Sequence, residues 1–408
     1  MTSWKTYRLG DICDLVAGFA FKSKDFGDYP NKVVKIADIQ PPVVNTNELV
    51  GVDMSNYDTN KLRKYIVSKG DYVLAMTGAT IGKLGRITDD VEAYINQRVL
   101  TFRPNESIVD KDYLYYQLYS LNFNKYILNH IDSETAQPNI SAGSVGGFEI
   151  SLPPLAEQRR IAGILGAIDD KIENNRRINT NLELQAQALY KQWFVDFEFP
   201  NEEGKPYKSS GGKMVDSELG LIPEGWSVGT LSDLADVTMG QSPNGKSFNE
   251  NGDGIVFYQG RTEFGVRYPS IRLYTTEPTR YAEPMSVLLS VRAPVGDINI
   301  ATQRCCIGRG VASIKSKTDD NAYMYCCLKE LRPQLDQYNG EGTVFGSINR
   351  KELEGLVLCI PKYEIISKFN DVILGTDKQM LNLFQQTQNL ATLRDTLLPK
   401  LMNGEIKL

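Results

Sequence analysis

The chain lacks the residues that most metal sites and nucleophilic active sites need. Its 408 residues include one histidine, His130, and six cysteines, none of them in a C-x-x-C pair. A zinc site needs several closely spaced Cys or His ligands, and catalysis by a Ser-His-Asp or Cys-His group would have to use His130. No G-x-S-x-G turn accompanies that histidine. We therefore expect no structural zinc, no disulfide framework and no catalytic triad, and we interpret the cysteines as core thiols.

Long apolar runs are also missing. The N-terminal residues MTSWKTYRLGD show no basic segment followed by an apolar one, and no apolar run has the roughly 18 residues that a membrane helix requires. We expect a cytoplasmic protein without a membrane span. The composition, 41% hydrophobic and 23% charged, is typical of two or three soluble globular domains. A net charge of −5 argues against a surface that binds nucleic acid everywhere, although it permits local basic faces.

One stretch resembles a phosphate-binding loop. MGQSPNGKSF matches G-x-x-x-x-G-K-[ST] from Gly240 to Ser247. That motif works only if a helix starts directly after it, so that free N–H groups face the phosphate. Here FNENGDG follows, which is rich in turn residues, and no apolar strand ending in Asp is present to hold magnesium. We interpret the segment as an ordinary loop and keep a nucleotide-hydrolysing enzyme only as a distant alternative.

The chain contains an internal repeat. WKTYRLGDICDLVAG, residues 4–18, aligns with WSVGTLSDLADVTMG, residues 226–240, at a shift of 222. The halves then stay in step, with the shift falling to 208. The matching segments are DYVLAMTGATIG with MSVLLSVRAPVG, INQRVLTFR with IGRGVASIK, YLYYQL with YMYCCL, and NISAGSVGGFEISLP with SINRKELEGLVLCIP.

Each half closes with a long segment whose seam positions alternate in spacings of three and four, which is typical of a coiled coil. The first segment would be about 65 Å long as one helix, at 1.5 Å per residue. Neither helix can bury its seam alone, so we predict an antiparallel pair around a pseudo-two-fold axis, with polar seam residues fixing the register. In the alternative, each helix only covers its own domain. The seams are Ile161, Leu165, Ile168, Ile172, Asn175, Asn179, Leu182, Ala186, Leu189 and Trp193, and Phe369, Ile373, Thr376, Met380, Leu383, Thr387, Leu390, Arg394, Leu397 and Leu401.

The predicted fold class is α+β, with two similar α/β globular domains separated by two long α-helices that form an antiparallel coiled coil. Short β-rich runs such as DYVLAM, QRVLTFR, GIVFYQG and SVLLSVR predict strands, and KDYLYYQLYSLNFNKYIL predicts one helix. A segment rich in Pro, Gly and Ser separates the halves and is interpreted as a linker. The expected boundaries are domain 1 at 1–153, helix 1 at 154–199, the linker at 200–225, domain 2 at 226–361 and helix 2 at 362–408.

The sequence contains no motif of an enzyme that we can identify. We find no G-x-G-x-x-G, no [N/D]-P-P-[Y/F] methyltransferase loop and no paired metal-binding carboxylates. Two similar but non-identical domains at a fixed distance suit a split, asymmetric DNA site, because major grooves on one face recur about every 34 Å. Candidate contacts are Arg98, Arg261, Arg292 and Arg309 for guanine, Gln97, Gln137, Asn139 and Gln259 for adenine, and Lys22, Lys24 and Lys246 for phosphate. Each of them alone could equally be an ordinary surface residue.

Three segments of the long helices are distinctive, namely SLPPLAEQRRIAGILGAIDDKI (residues 151–172), ALYKQWFVDF (188–197) and TLRDTLLPKLMNGEI (392–406). They resemble the specificity subunit of type I restriction-modification enzymes. The resemblance implies a non-catalytic DNA-recognition subunit with two target-recognition domains, each reading half of a bipartite site. It also implies two conserved helices that act as a spacer ruler and dock two DNA adenine methyltransferase subunits, with restriction subunits as further partners. S-adenosylmethionine and ATP would then bind those partners, and this chain would carry no cofactor. The open alternative is a scaffold or coiled-coil adaptor without DNA binding.

The resemblance also implies which residues form the subunit and helix interface. The second helix departs from the pattern, because IPKYEIISKF lacks the second proline and the E-Q pair of the first, and we therefore expect asymmetric or weaker docking at that end. The expected interface residues are Pro154, Leu155, Glu157, Gln158, Ile161, Leu165, Ile168, Ile172, Leu182, Leu189, Trp193, Phe369, Ile373, Met380, Leu383, Leu390, Leu397 and Leu401.

Overall fold

A computed structural model describes residues 4–132, 138–340 and 346–408. Contacts divide the chain into two compact units, Met1–Lys171 with Asn389–Leu408, and Ile172–Gln388. Each unit therefore contains one globular domain together with part of each long helix. Over the described ranges, no helix is both long and apolar enough to cross a bilayer.

The secondary structure alternates short strands with short helices, apart from two long helices. The strands are β1 Lys5–Arg8, β2 Cys13–Ala17, β3 Phe26–Val34, β4 Ile39–Gln40, β5 Val43–Val44, β6 Val50–Val52, β7 Ile66–Val67, β8 Tyr72–Ala75, β9 Leu84–Arg86, β10 Ala93–Ile95, β11 Val99–Pro104, β12 Glu149–Leu152, β13 Met214–Ser217, β14 Gly220–Pro223, β15 Ser227–Thr230, β16 Ala235–Met239, β17 Phe248–Asn249, β18 Ile255–Tyr258, β19 Tyr274–Thr275, β20 Tyr281–Ala282, β21 Val287–Val291, β22 Val295–Ile300, β23 Cys305–Ile307, β24 Val311–Ser316 and β25 Val357–Ile360. The helices are α1 Leu9–Ile12, α2 Thr59–Leu62, α3 Lys111–Tyr119, α4 Leu121–Asn129, α5 Ala142–Gly146, α6 Leu155–Tyr190, α7 Leu231–Leu234, α8 Asn321–Glu330, α9 Arg332–Asp336, α10 Arg350–Glu354 and α11 Tyr363–Met402.

The domain of the first unit is built on a six-stranded sheet in the order β2-β11-β8-β9-β5-β4. All four residues of β8 are buried, as expected of a central strand that reads as a continuous apolar run. A second sheet, β6-β3-β10-β7, and the pair β1-β12 complete the domain. Helix α3 closes the core with Tyr113 and Tyr116, which are fully buried.

The domain of the second unit follows the same plan. Its main sheet is β16-β24-β21-β22, and a second sheet runs in the order β17-β19-β18-β23-β20. The pair β15-β25 corresponds to β1-β12 of the first unit. Helix α8 buries Tyr323 and Tyr325 in the core. The predicted strands and the α+β class are therefore confirmed in both units.

The strand registers confirm the predicted repeat. Lys5 lies opposite Leu152 in the β1-β12 pair, and Ser227 lies opposite Ile360 in the β15-β25 pair. The offsets are 222 between the first members of these pairs and 208 between the second members, the same two shifts that the sequence alignment gives. The duplication is thus present in the backbone hydrogen bonding of the two domains.

In one strand the structure corrects the alignment by one residue. The ungapped match of DYVLAMTGATIG with MSVLLSVRAPVG makes Ala75 equivalent to Leu289. However, Ala75 lies opposite Val99 and Ser290 lies opposite Val311, and these two partners are themselves equivalent. The same offset holds for Leu288 and Leu289, which pair with Ser313 and Ala312 where Val73 and Leu74 pair with Thr101 and Leu100. The segment from Ser290 to Gly296 is therefore one residue shorter than the equivalent segment from Ala75 to Gly82, and an ungapped alignment cannot show such a difference.

In the second unit, α6 and α11 pair in antiparallel orientation. The Asn175 side-chain amide donates to the Gln386 side-chain oxygen at 3.5 Å, and the Asn179 amide donates to the Met380 carbonyl at 3.3 Å. The residue number of the α11 partner falls from 386 to 380 as the number on α6 rises from 175 to 179, so the two helices run antiparallel. Asn175 is fully buried. A buried polar residue in a seam favours the register that gives it a partner, and here the amide N–H groups of both asparagines have one, whereas their side-chain oxygens are buried without a partner in the described residues.

The same pairing occurs in the first unit. Ile161 and Leu165 of α6 belong to one core cluster with Leu398 and Leu401 of α11. The alternative in which each helix covers only its own domain is therefore wrong, because each unit buries parts of both helices together.

Two local expectations differ from the structure. The predicted single helix from Lys111 is two helices, α3 and α4, divided at Ser120, whose hydroxyl caps α4 by accepting from the Phe123 N–H. The expected linker contains the hairpin β13-β14. Its flanks are also ordered, because the Phe199 ring stacks on Trp226 with centroids 5.2 Å apart. The composition of this segment predicted its turns, but it did not predict the aromatic contacts that order its two ends.

Candidate nucleic-acid interface

Three chain segments meet at the end of strand β8 in the first unit. The Met76 N–H donates to the Arg98 carbonyl, the Ile140 N–H donates to the Met76 carbonyl, and the Gly78 N–H donates to the Pro138 carbonyl, all at 3.0 Å. Hydrogen-bonded strands lie about 4.8 Å apart, so the side chains on these segments are neighbours. We call them the first strand-end cluster. Its members are Thr77, Gln97, Arg98 and Asn139.

The second unit repeats this arrangement at the end of β21. The Val291 N–H donates to the Gly310 carbonyl at 2.9 Å, and the Ile348 N–H donates to the Val291 carbonyl at 3.1 Å. The Ala293 N–H donates to the Gly346 carbonyl at 3.2 Å. The Gly310 N–H also donates to the Gln259 carbonyl. We call the side chains on these segments, together with that of Gln259, the second strand-end cluster. Its members are Gln259, Arg292, Arg309 and Ser347.

The hydrogen bonds give a residue-by-residue correspondence between the two clusters. Thr77 forms an antiparallel bridge with Asn139, and Arg292 forms the same bridge with Ser347. The carbonyls of Arg98 and Gly310 accept the equivalent N–H groups. The equivalent pairs are Thr77 with Arg292, Gln97 with Arg309, Arg98 with Gly310, and Asn139 with Ser347.

Most of the expected base-contacting side chains in these clusters are free to bind a ligand. Gln97, Arg98, Arg292 and Arg309 are exposed, and none of their side chains makes an ion pair or hydrogen bond to another residue in the described part of the chain. Asn139 differs, because its side-chain oxygen is buried and lacks a partner there.

The remaining expected contacts differ in where they lie. Gln137 lies outside the described residues. Gln259 of the second cluster is exposed. It lies beside Arg309, because its carbonyl accepts from the N–H of Gly310, the residue after Arg309. Arg261 is exposed, but its guanidinium pairs with Asp297.

The expected phosphate-contacting lysines occupy equivalent turns in the two units. Lys24 lies in a 3-10 turn at Ser23–Asp25, directly after Lys22, and Lys246 lies in the matching turn at Gly245–Ser247. All three are exposed. Strand β17 follows Lys246, so no helix N-terminus is available to a nucleotide phosphate. The interpretation of MGQSPNGKSF as a loop is therefore confirmed.

The thiols and the imidazole are not arranged for chemistry. Burial raises the pKa of Cys13, Cys305 and Cys326 to about 12 each, so these thiols stay protonated at neutral pH. His130 stacks on Tyr126 with ring centroids 3.9 Å apart. Among the residues with described positions, no group of three or more His, Cys, Asp or Glu side chains is placed to hold a metal ion.

Comparison with known proteins identifies the family. The model of the type I restriction modification DNA specificity domain matches residues 1–184 and 223–398. A Methanocaldococcus jannaschii protein, described as the candidate specificity subunit of the type I restriction enzyme MjaX, is 34% identical over 377 residues, 88% of this chain and 84% of the relative. This chain belongs to the type I restriction-modification specificity-subunit family. The HindI specificity subunit of Haemophilus influenzae is 24% identical over the full length of both chains. The crystal structure of the S subunit from M. genitalium shares the fold, with a TM-score of 0.57 at 16% identity over 98% of this chain and 96% of that one.

This specificity subunit is accordingly the non-catalytic DNA-recognition component of a type I system.

Most of the expected interface residues on the helices are used within the chain. The structure buries Gln158, Ile161, Leu165, Ile172, Trp193, Phe369, Ile373, Met380, Leu383 and Leu401, half-buries Leu155, Glu157, Ile168, Leu182, Leu189, Leu390 and Leu397, and exposes Pro154.

Gln158 clamps the first domain instead of offering its amide to a partner. It is 1% exposed, its side-chain oxygen accepts from the Asp110 N–H at 2.8 Å, and its amide donates to the carbonyls of Ile108 and Pro153. Asp110 is in turn the N-cap of α3. The E-Q motif of this specificity subunit therefore joins the start of the long helix to its own recognition domain.

The second helix replaces this clamp with a different residue. Ile366 occupies the position equivalent to Gln158, and Asn370, one turn later, takes over the polar role. The Asn370 side-chain oxygen accepts from the Tyr323 N–H at 3.1 Å, and its amide donates to Asp320 at 2.7 Å. The departure from the E-Q pattern thus has a compensation inside the chain. Asymmetric or weaker docking of a partner at that end stays a prediction.

Sequence reasoning missed a buried charge network in the second unit. The Arg267 guanidinium donates to Glu183 of α6 and to Asp377 of α11 at 2.6 Å each, and it lies over the Tyr325 ring at 4.2 Å. Arg267 is 4% exposed and Glu183 5%. Lys329 adds a second cation 3.3 Å from Glu183. One domain residue therefore ties both helices together.

The first unit holds its helices with a different ion pair. Arg394 of α11 pairs with Asp169 of α6 at 2.8 Å, and the Tyr116 hydroxyl donates to the same carboxylate. Asp169 is equivalent to Asp377 in the repeat, but the arginine comes from the partner helix in one unit and from the domain in the other. Only the carboxylate position repeats in the sequence, which is why the networks were not predicted.

Proposed function

We propose that this specificity subunit reads a bipartite, asymmetric DNA site, with one half recognised by each domain through its strand-end cluster. The observation that carries the proposal is the correspondence between the clusters. The same backbone positions carry different hydrogen-bonding side chains in the two domains, as two readers of different half-sites require. The exposed lysines on the equivalent turns supply phosphate contacts, which position a protein on DNA without reading sequence.

The proposal is tested with the complete complex of this chain and its cognate methyltransferase subunit. Binding and methylation are measured on a duplex library in which the bases of each half and the spacer are randomised. We expect two separated blocks of selected bases, with unselected bases between them. A complex that binds every duplex equally well, or a chain that assembles without any DNA binding, would favour the scaffold alternative.

We further propose that the helices hold two methyltransferase subunits at equivalent places. Ile164 of α6 and Val372 of α11 are equivalent at the 208 shift, and both are apolar and exposed, at 39% and 56%. Their equivalence supports two matching docking places, because apolar side chains gain by leaving water when a partner covers them. Further exposed apolar residues on these helices are Leu184, Leu374 and Leu393.

Substitution of the two equivalent positions tests this stoichiometry. Ile164→Glu and Val372→Glu should each leave one methyltransferase subunit bound, and the double variant none, as read from the mass of the complex. Gln379→Glu, an exposed change on the same helix, is the matched control and should retain both subunits. A double variant that still binds two subunits would refute docking at these positions. A restriction subunit would add to this assembly.

The helices are also proposed to set the gap between the half-sites. Deleting one heptad from each, residues 173–179 and 380–386, removes segments that face each other through Asn179 and Met380. One heptad is about 10.5 Å long and a base pair rises about 3.4 Å, so the spacer should shorten by about three base pairs. A variant that folds and keeps the original spacer would refute the ruler role.

A further inference from the structure

The two strand-end clusters differ in chemistry at positions that the backbone makes equivalent. Where the first domain has Gln97, the second has Arg309, and where the first has Thr77, the second has Arg292. A guanidinium carries two donors in a fixed fork that matches O6 and N7 of guanine. A glutamine amide carries one donor and one acceptor, which matches N7 and N6 of adenine.

We propose that Arg292 and Arg309 read two closely spaced guanines in the half-site of the second domain, and that Gln97 reads an adenine in the half-site of the first. This assignment rests on the proposed function, since it names the bases that each domain selects. It goes further by assigning one base identity to each of three positions.

The geometry limits how far apart the two guanines can be. Arg292 directly follows Val291, whose N–H donates to the carbonyl of Gly310, the residue after Arg309. The two arginines therefore stand on adjacent strand ends, about one strand spacing of 4.8 Å apart. Successive base pairs rise about 3.4 Å, so the two side chains reach base pairs that are neighbours or next neighbours, on either strand.

The guanidinium groups of Arg292 and Arg309 are not held by ion pairs within the described part of the chain. Neither arginine has an ion-pair partner among residues 4–132, 138–340 and 346–408, whereas Arg261 and Arg304 of the same domain pair with Asp297 and Glu283. An unpaired exposed guanidinium keeps all its donors for a ligand. The residue proposed to contact phosphate in this unit is Lys246, on the exposed turn Gly245–Ser247.

The first domain also has basic side chains near its cluster, but they do not occupy the positions equivalent to Arg292 and Arg309. Arg98 is equivalent to Gly310, so any guanine that it contacts has no counterpart in the second domain. Lys35 lies over the Phe26 ring at 3.8 Å and is engaged there. The two domains therefore differ in the order of their base-reading groups as well as in their identity.

The experiment uses reciprocal exchange in the complete complex with its cognate methyltransferase subunit. Arg309→Gln, Arg292→Ala and Gln97→Arg are each assayed for binding and methylation on the randomised duplex library. Arg304→Gln, at the opposite end of β23 from Arg309, is the matched control, since Arg304 pairs with Glu283. All four residues are exposed, so we expect unchanged thermal unfolding.

Arg309→Gln should reduce discrimination for guanine at one position about 5- to 150-fold and shift the preference there towards adenine. Arg292→Ala should relax one position no more than two base pairs away in the same half-site, and Gln97→Arg should shift adenine towards guanine in the other half-site. The control should keep the wild-type preference.

Two kinds of result would overturn the assignment. One is that the base preference of Arg309→Gln is unchanged, or that it changes at a position where the wild type does not select guanine. The other is a uniform loss of affinity on every sequence with a shallower salt dependence, which would make Arg309 a phosphate contact. The proposed function fails separately, if the wild-type complex selects no bases or if Arg309→Gln and Gln97→Arg alter the same half-site.

Discussion

Removing Arg267 should destabilise the second unit more than any exposed substitution. Arg267 is the cation that neutralises Asp377 and one of two that neutralise Glu183, and all three side chains are buried or nearly so. Breaking a buried ion pair from one side costs about 3–5 kcal/mol, because a desolvated charge is left behind. For a unit of roughly 200 residues, each kcal/mol lowers the melting temperature by about 2–4 °C, so Arg267→Met should lower it by about 6–20 °C.

The pH dependence of that loss follows from the two carboxylates. Burial raises the pKa of Glu183, but attraction to Arg267 and Lys329 outweighs it and holds the pKa below its ordinary value near 4.5. Burial raises the pKa of Asp377 above its ordinary value despite Arg267. In wild type, the contribution of Glu183 is therefore present above pH 4.5 and is lost as the pH falls through its lowered pKa. Without Arg267, burial and the nearby Glu183 charge both raise the pKa of Asp377, so protonation of this carboxylate should reduce the penalty as the pH falls from about 8 to about 5.

Calorimetry of the wild type and the variants at both pH values measures this effect. Adding Asp377→Asn to Arg267→Met removes the stranded charge and should recover part of the lost stability. Arg350→Met is the control, since Arg350 forms an exposed pair with Glu354 and should change stability by less than about 1 kcal/mol. An Arg267→Met chain that melts like wild type, or a penalty that grows towards acid pH, would refute the reasoning.

Further predictions concern the contacts that hold each domain to its helix. Gln158→Ala and Asn370→Ala should each lower the free energy of unfolding, measured with urea, by about 1–3 kcal/mol, because each leaves a buried backbone N–H without an acceptor. A variant as stable as wild type would show that its side chain does not hold the domain to the helix. Burial raises the pKa of Asp71, but hydrogen bonds and ion pairs with Lys111 and Arg103 lower it overall. Asp71→Asn should therefore lose stability near neutral pH and show a smaller decline between about pH 5 and pH 3 than wild type, and parallel pH profiles would count against this.

The parts of the molecule that local patterns specify were predictable. Short β-rich runs predicted the strands and the heptad spacing predicted both long helices, because residue type and periodic burial are local features of the sequence. The helix break at Ser120 and the hairpin β13-β14 were missed, because both depend on contacts that composition does not encode. Of the expected DNA contacts, the structure brings together Gln97, Arg98 and Asn139 in one cluster, and Gln259, Arg292 and Arg309 in the other.

The sequence by itself determined that this chain is a duplicated specificity subunit with two domains and two heptad helices, since repeats and periodic burial are written in residue order. Only the tertiary structure decided which residues of the two domains are equivalent at the strand ends, because the pairing of β21 with β24 and the Arg292–Ser347 bridge make Arg292 equivalent to Thr77, one residue away from the ungapped alignment. It also decided that Gln158 serves its own domain and that Arg267 joins both helices. Hydrogen bonds and ion pairs between residues far apart in the chain depend on distances that no local pattern carries.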